Sequence, residues 1–252
     1  QASDWSSDVC SSDLRVGPKR TIQAGLLSQE EMKIGIFITV LISISSAVSL
    51  IYISADNLSS QAFLIYMVLA GLCILAAITY TVGKNAYGYR GLGDLMVFIF
   101  FGLVSTFGVY FMFSKEIDWL LFLPATAIGF LSVGVLNLNN MRDEASDRKS
   151  GKNTLVVKMG IENAKKYHYF LIVGAMILVL LFAILSDFNF DQYLFVLAYF
   201  PLVKHVVTVS KNHNSKLLDP ELKKVALSTF ALSVLLALCM IFFFSDLIVN
   251  NS

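Results

Sequence analysis

The chain has 252 residues, 56% of them hydrophobic, with a formal net charge of +1 and a mean hydropathy of +0.70. Soluble domains hold about 45–50% apolar residues, so this composition argues against an ordinary soluble domain, and a near-zero charge gives no electrostatic pull toward nucleic acid, which is not expected as a partner. Cys10, Cys73 and Cys239 are too few and too scattered for a disulfide framework or a zinc site; Cys73 and Cys239 lie in apolar blocks and read as small packing residues.

In chain order, seven apolar blocks have the length of a transmembrane helix: Ile34–Ile53, Ala62–Tyr80, Leu95–Phe113, Trp119–Leu138, Tyr167–Leu185, Tyr193–Val209 and Leu227–Val249. The charged residues inside them are Lys204, near the end of the sixth, and Asp246, near the end of the seventh. Lipid leaves exposed backbone groups unsatisfied, and the blocks lack the alternation of a membrane barrel, so each block is read as a helix. The expected fold is all-α, a polytopic membrane bundle in contact with lipid. Alternating sides along the seven spans places 18 of the 19 lysines and arginines on one face and leaves only Lys115 on the other. The positive-inside rule makes the crowded face cytoplasmic and predicts a protein of the cell (plasma) membrane with its working surface on that side.

Two loops on that face carry chemistry. After the fourth block comes NLNNMRDEASDRKSGKNTL, residues 137–155. Asn139, Asp143 and Asp147 stand at i, i+4 and i+8, and form one stripe with steps of about 6 Å if the fourth helix continues. Two carboxylates and an amide are hard oxygen donors suited to Mg²⁺, which is the expected cofactor. Arg142, Arg148, Lys149 and Lys152 surround the stripe. Acids for a metal mixed with bases for phosphate oxygens suit a metal-bound diphosphate; a solvated, salt-bridged loop is the plainer reading of the same residues. After the second block comes TYTVGKNAYGYRGLGDL, residues 79–95. Tyr80 and Lys84 are four apart at the membrane edge, and Tyr87, Tyr89, Arg90 and Asp94 follow among glycines. Lys84 and Arg90 suit phosphate, and the tyrosines suit an aromatic ring. The alternative is an interfacial aromatic belt with Asp94 as a helix N-cap. His168, His205 and His213 share no ligand spacing and read as interfacial or loop residues.

The NxxxDxxxD pattern at Asn139, Asp143 and Asp147, followed by GKNTL at 151–155, resembles the second aspartate-rich motif of the UbiA-type intramembrane prenyltransferases. Tyr80 and Lys84 resemble that superfamily's Y-x-x-x-K. AYGYRGLGDLMVFIFFGLVSTFGVYF at 86–111 and RVGPKRTIQAGLLS at 15–28 are similar to its menaquinone branch, whose members prenylate 1,4-dihydroxy-2-naphthoate. The resemblance implies transfer of a polyprenyl group from a polyprenyl diphosphate to that naphthoate, with loss of CO₂ and diphosphate. It implies that Asn139, Asp143 and Asp147 hold Mg²⁺, and that Lys84, Arg148 and Lys152 neutralise diphosphate oxygens. Tyr80, Tyr87, Tyr89 and Asp94 then line the pocket for the ring or the allylic cation.

The family has nine helices, and its first aspartate-rich motif lies at the cytoplasmic end of the second. The seven blocks here match its helices three to nine, so two helices and that motif are expected to be missing. Residues 1–14, QASDWSSDVCSSDL, look foreign to the family, and SSDVCSSDL resembles a translated sequencing adapter. The expected division is therefore 1–14 as a foreign-looking leader, artefactual or disordered, and 15–252 as a prenyltransferase membrane domain without its first two helices. Asp4 and Asp8 have D-x-x-x-D spacing but no preceding helix, and the chain as given is expected to be inactive. Three rival readings remain. One is another aromatic prenyltransferase, of the ubiquinone, chlorophyll or tocopherol type. The second is a transporter, which usually carries ionisable groups within its spans. The third is a non-catalytic membrane scaffold.

Overall fold

A computed structural model of the chain describes residues 25–54, 59–80 and 86–250. The expectations for residues 1–14, for the 15–24 part of the family-like segment and for Lys84 lie outside them. The described residues contain no strand, three short 3₁₀ turns (Tyr87–Tyr89, Trp119–Leu121 and Ser215–Leu218) and eight longer helices. These are α1 (Gln29–Ile53), α2 (Ser60–Thr79), α3 (Gly93–Ser114), α4 (Phe122–Lys149), the short α5 (Leu155–Met159), α6 (Ile161–Leu185), α7 (Phe190–Lys211) and α8 (Asp219–Asn250). Seven of them, all but α5, are long and apolar enough to cross a membrane.

Each apolar block is a helix, and most of the helices outrun their blocks at a polar end. α1 begins five residues before its block because Ser28 and Glu31 form a capping box. The Glu31 backbone N–H donates to Ser28 Oγ at 3.2 Å, and the Ser28 N–H donates to Glu31 Oε2 at 2.7 Å. α4 runs unbroken through the acidic stripe to Lys149. Its 28 residues make a rod about 42 Å long at 1.5 Å per residue, against a hydrocarbon layer of about 30 Å. The last turns, with Asp143 and Asp147, therefore stand at or beyond the membrane surface. Hydropathy cannot register such an extension, because its residues are polar.

α4 is the centre of the bundle, packed by α3, α6 and α8. Its Leu131, Leu138 and Met141 are buried with Ile172 and Ala175 of α6, Leu202 of α7 and Leu232 of α8. α1 and α2 lie at the edge and expose apolar side chains such as Phe37, Ile42, Leu64 and Leu72, a surface suited to lipid. The Tyr66 hydroxyl of α2 donates to the Gly108 carbonyl of α3 at 2.7 Å. The middle of α3, Phe98–Gly108, is wound as π-helix. There it crosses α4 on glycine: a Cβ at Gly102 would lie 2.7 Å from Gly129 Cα and 2.8 Å from the Ala125 carbonyl.

Two of the histidines differ from their sequence-based reading, while His213 lies exposed in the loop after α7, as expected. His168 of α6 and His205 of α7 are fully buried, with their Nε2 atoms 2.7 Å apart, and His205 Nδ1 lies 2.6 Å from Glu221 Oε2 of α8. Lys224 donates to the other oxygen of Glu221. The two histidines are 37 residues apart, so their pairing follows from helix crossing and no local spacing announces it. The cluster ties three helices together through buried polar contacts, with His168 Nδ1 left without a hydrogen-bond partner.

Two outcomes are expected. Leu at Gly102 should lower the midpoint of thermal unfolding in detergent, since overpacking costs about 1–3 kcal/mol even where side chains can give way and here backbone is in the way; an unchanged midpoint would mean the helices have room. Single cysteines at Ser150 and Asp191, in a background without the native cysteines, should be labelled from opposite faces of the membrane, because one span separates them. Labelling of both from the same face would refute the seven-span arrangement.

Candidate active site at the membrane surface

The stripe on α4 forms as the spacing predicts, but an arginine sits among its acids. Arg142 grips Asp143 with two bonds, Nε to Oδ1 at 3.0 Å and Nη2 to Oδ2 at 2.8 Å. Nη2 also donates to Asn139 Oδ1 at 2.8 Å, and Nη1 to Asp219 Oδ1 at 2.5 Å. Arg142 and Asp143 are each 4% exposed, while the Asp219 side chain is 48% exposed. Residues i and i+1 on a helix do not normally face one another; Arg142 reaches Asp143 by folding its long side chain back over the stripe. Asp219, at the start of α8, is a site residue that sequence reading did not find. It lies 77 residues from Arg142, and its only local signal is an acid in the first turn of a span.

Asp147, Lys152 and Tyr89 form the next part of the site. The Lys152 N–H donates to the Asp147 carbonyl at 2.9 Å, and Lys152 Nζ lies 4.8 Å from the centre of the Tyr89 ring, a cation–π distance. The two loops are clasped together here. The Asn153 N–H donates to the Tyr89 carbonyl at 2.9 Å, and Lys158 Nζ to the Arg90 carbonyl at 2.6 Å. Gly91, at φ +83°, makes the approach possible, since a Cβ there would lie 2.9 Å from Lys158 Nζ.

Tyr80, at the end of α2, meets Tyr87 edge to face with ring centres 5.4 Å apart, and its carbonyl accepts from the Gly88 N–H at 3.1 Å. The Tyr87 hydroxyl donates to the Ala76 carbonyl at 2.7 Å, and burial pushes its phenol pKa up, so the ring stays neutral. Asp94 is no N-cap: Leu92 holds that position, and Asp94 lies buried in the first turn of α3. Its carboxyl meets the Tyr167 side chain of α6, while its Oδ2 has no hydrogen-bond partner. Arg148 is turned off the stripe. It is bonded to Glu144, one turn back, through Nε at 2.9 Å and Nη2 at 2.6 Å, and Nη2 reaches the Val157 carbonyl at 3.3 Å.

Below this polar rim lie two apolar cavities. One, of about 470 Å³, lies between α3, α4 and α8 and has Asn139 at its polar end, with Val97, Phe101, Val135, Leu136, Leu222 and Ala226 among its walls. The other, of about 640 Å³, lies between α2 and α3 and is lined by Tyr80, Tyr87, Met96, Phe100 and Cys73. Val97 and Phe101 border both. Both volumes fall in the range of ligand sites. Acids and bases at the surface, opening onto greasy space between helices, make a site for an amphiphile with a charged head and an apolar tail.

The UbiA prenyltransferase family matches residues 12–218. The chain is 39% identical over 239 residues to the 1,4-dihydroxy-2-naphthoate octaprenyltransferase of Escherichia coli (strain K12), covering 94% of this chain and 77% of that one. It has the same identity and coverage with the 1,4-dihydroxy-2-naphthoate octaprenyltransferase of Haemophilus influenzae. The Mycobacterium tuberculosis enzyme of that name is 31% identical over 185 residues, 72% of this chain and 61% of that one. No solved structure matches significantly. An integral membrane bundle with this site and these relatives is an intramembrane prenyltransferase: the chain belongs to the UbiA prenyltransferase family.

The clasp between the loops has a measurable consequence. Lys158→Met removes a charged hydrogen bond worth about 1.5–3 kcal/mol. Amide hydrogen exchange at residues 87–91 should accelerate about tenfold or more, with α4 unchanged. Equal protection in the variant would mean that Lys158 does not hold this loop.

Proposed function

We propose that the chain transfers a polyprenyl group from a polyprenyl diphosphate to 1,4-dihydroxy-2-naphthoate, releasing diphosphate and CO₂ and giving demethylmenaquinol. The carrying observation is the identity of 39% over 94% of the chain to relatives of that named activity. The charge asymmetry of the loops supports a plasma-membrane location with the site facing the cytoplasm.

The reaction breaks the prenyl C1–O bond and leaves an allylic cation. The ring carbon that carries the carboxylate supplies the electron pair for the new C–C bond. The electrons of the departing carboxylate's C–C bond then return to the ring as CO₂ leaves. The chain has to hold the diphosphate, keep water from the cation and present the ring. The cavity ending at Asn139 suits the prenyl tail, since its walls are mostly apolar and its polar end touches the acid stripe. Water excluded from such a cavity cannot quench the cation. Tyr80 and Tyr87 border the neighbouring cavity beside Phe100 and Phe101, where aromatic faces can stabilise positive charge and stack on the naphthoate. Lys152, stacked on Tyr89 beside Asp147, supplies positive charge for diphosphate oxygens.

Mg²⁺ is the cofactor in this reading. Asn139, Asp143 and Asp147 hold it, and when bound it neutralises the negative charge that gathers on the departing diphosphate. The donors fit such an ion chemically, as hard oxygens. Three of the residues here, Asn139, Asp143 and Asp219, already converge on one positive charge, the Arg142 guanidinium.

The protein in membranes, given 1,4-dihydroxy-2-naphthoate, a prenyl diphosphate and Mg²⁺, should form demethylmenaquinol, and 4-hydroxybenzoate should not substitute. Chelation of the metal should stop the reaction. Asp143→Asn and Asp147→Asn should each lower the rate at least about 10²-fold, the scale of losing one transition-state electrostatic contact, in samples shown by circular dichroism to be folded, since Asp143 is also half of a buried ion pair. Rates within about threefold of wild type would return the stripe to a solvated, salt-bridged loop.

A further inference from the structure

We propose that Arg142 is a placeholder cation: it holds Asn139, Asp143 and Asp219 together in place of a metal ion, and on arrival of a metal–diphosphate head it gives up the acids and turns to the phosphate oxygens. This rests on the reading of the site as a metal–diphosphate site and extends it to how the head is admitted.

The bonding already described supports the exchange. A guanidinium has five N–H donors in a planar fork and carries one positive charge. Here it serves two carboxylates and an amide, so the cluster of Arg142, Asp143 and Asp219 sums to one surplus negative charge. A dication answers that surplus better than an arginine does. Metal alone, however, would push the guanidinium off its acids and leave it beside a like charge with little water to screen it, since Arg142 is 4% exposed. Diphosphate alone would meet the carboxylates. Metal and diphosphate together satisfy every group: the acids take the metal, and the freed fork takes phosphate in the two-pronged geometry that arginine favours. Arg142 therefore makes each half of the ligand depend on the other, a coupling between two binding events.

Geometry provides both a route and a reason to choose this arginine. Asp219 is half-exposed, so one side of the cluster faces solvent. Arg142 lies on the same helix as Asn139 and Asp143, and rotations of its long side chain can move the guanidinium by several ångströms while α4 stays fixed. Arg148, which the motif alone nominates for phosphate, is bonded to Glu144 and the Val157 carbonyl instead. Asp219 is a positioning residue in this scheme, holding the guanidinium from α8 until the head arrives.

The test measures two affinities that should move in opposite directions. Binding of Mn²⁺ alone to the detergent-solubilised chain is read by electron paramagnetic resonance. Binding of farnesyl thiodiphosphate with Mg²⁺ is read by calorimetry. In Arg142→Gln, Mn²⁺ should bind about tenfold or more tightly, because its resident competitor is gone, and the thiodiphosphate should bind about tenfold or more weakly. Should Arg142→Gln fail to fold, Arg142→Lys carries the test. It keeps the charge and loses the fork on Asp143, and should shift both constants in the same two directions by about threefold. Weakening of both ligands, or constants within twofold of wild type, overturns the placeholder while leaving the metal–diphosphate reading in place. If neither wild type nor variants bind either ligand, that reading falls and the placeholder falls with it.

Discussion

The arrangement depends on α4 being longer than the membrane is thick. Its lower turns are apolar and packed on three sides, so the helix is fixed in the bundle. Its last turns carry Asn139, Asp143 and Asp147 up to the surface without a break. Continuity puts the three side chains on one face and in register, and packing below keeps that face aimed at the cavity bordered by α3 and α8. A break in the helix before Asp143 would leave the same residues on a loop with no fixed spacing. Chemistry that needs charge cannot sit in hydrocarbon, and chemistry that makes a carbocation cannot sit in water. A helix end at the boundary gives access to both.

Elsewhere the buried polar groups are mostly grouped with others and occur where helices must be held in a given relation. Arg142 joins α4 to α8 through Asp219. His168, His205 and Glu221 join α6, α7 and α8. Lys165 of α6 donates to the Asn212 carbonyl after α7 at 2.8 Å. Apolar packing between membrane helices is weakly directional, because lipid tails are as apolar as leucine. Polar contacts with fixed geometry set the angles and heights that packing leaves loose. The Gly102–Gly129 crossing does the same by shape, since only backbone fits there. It also lets the π-wound part of α3 lie between the two cavities, with Val97 and Phe101 on both.

The loops complete the site by fastening to each other. Asn153 and Lys158 bind the backbone of Tyr89 and Arg90. This brings the tyrosines that follow α2 up to the acids that end α4. Thr154 caps α5 by accepting from the Val157 N–H, so the GKNTL segment both turns the chain and presents Asn153 to its neighbour. A segment of that kind looks like phosphate chemistry in the sequence, and in the folded chain much of it serves to join two loops.

Sequence by itself determined the bundle. Seven apolar blocks can only be helices in lipid, the lysines and arginines sort to one side, and the i, i+4, i+8 spacing needs nothing beyond a continued helix to become a stripe. The motifs of residues 86–111 and 139–155 also carried the family, because they are local strings. Tertiary structure alone decided which charges meet. Asp219 of α8 joins Arg142 from 77 residues away, and His168 finds His205 across two helices. Spacing along one helix fixes direction on that helix only. Which side chain of another helix stands opposite depends on crossing angle, height and packing, and these are set by all the helices at once.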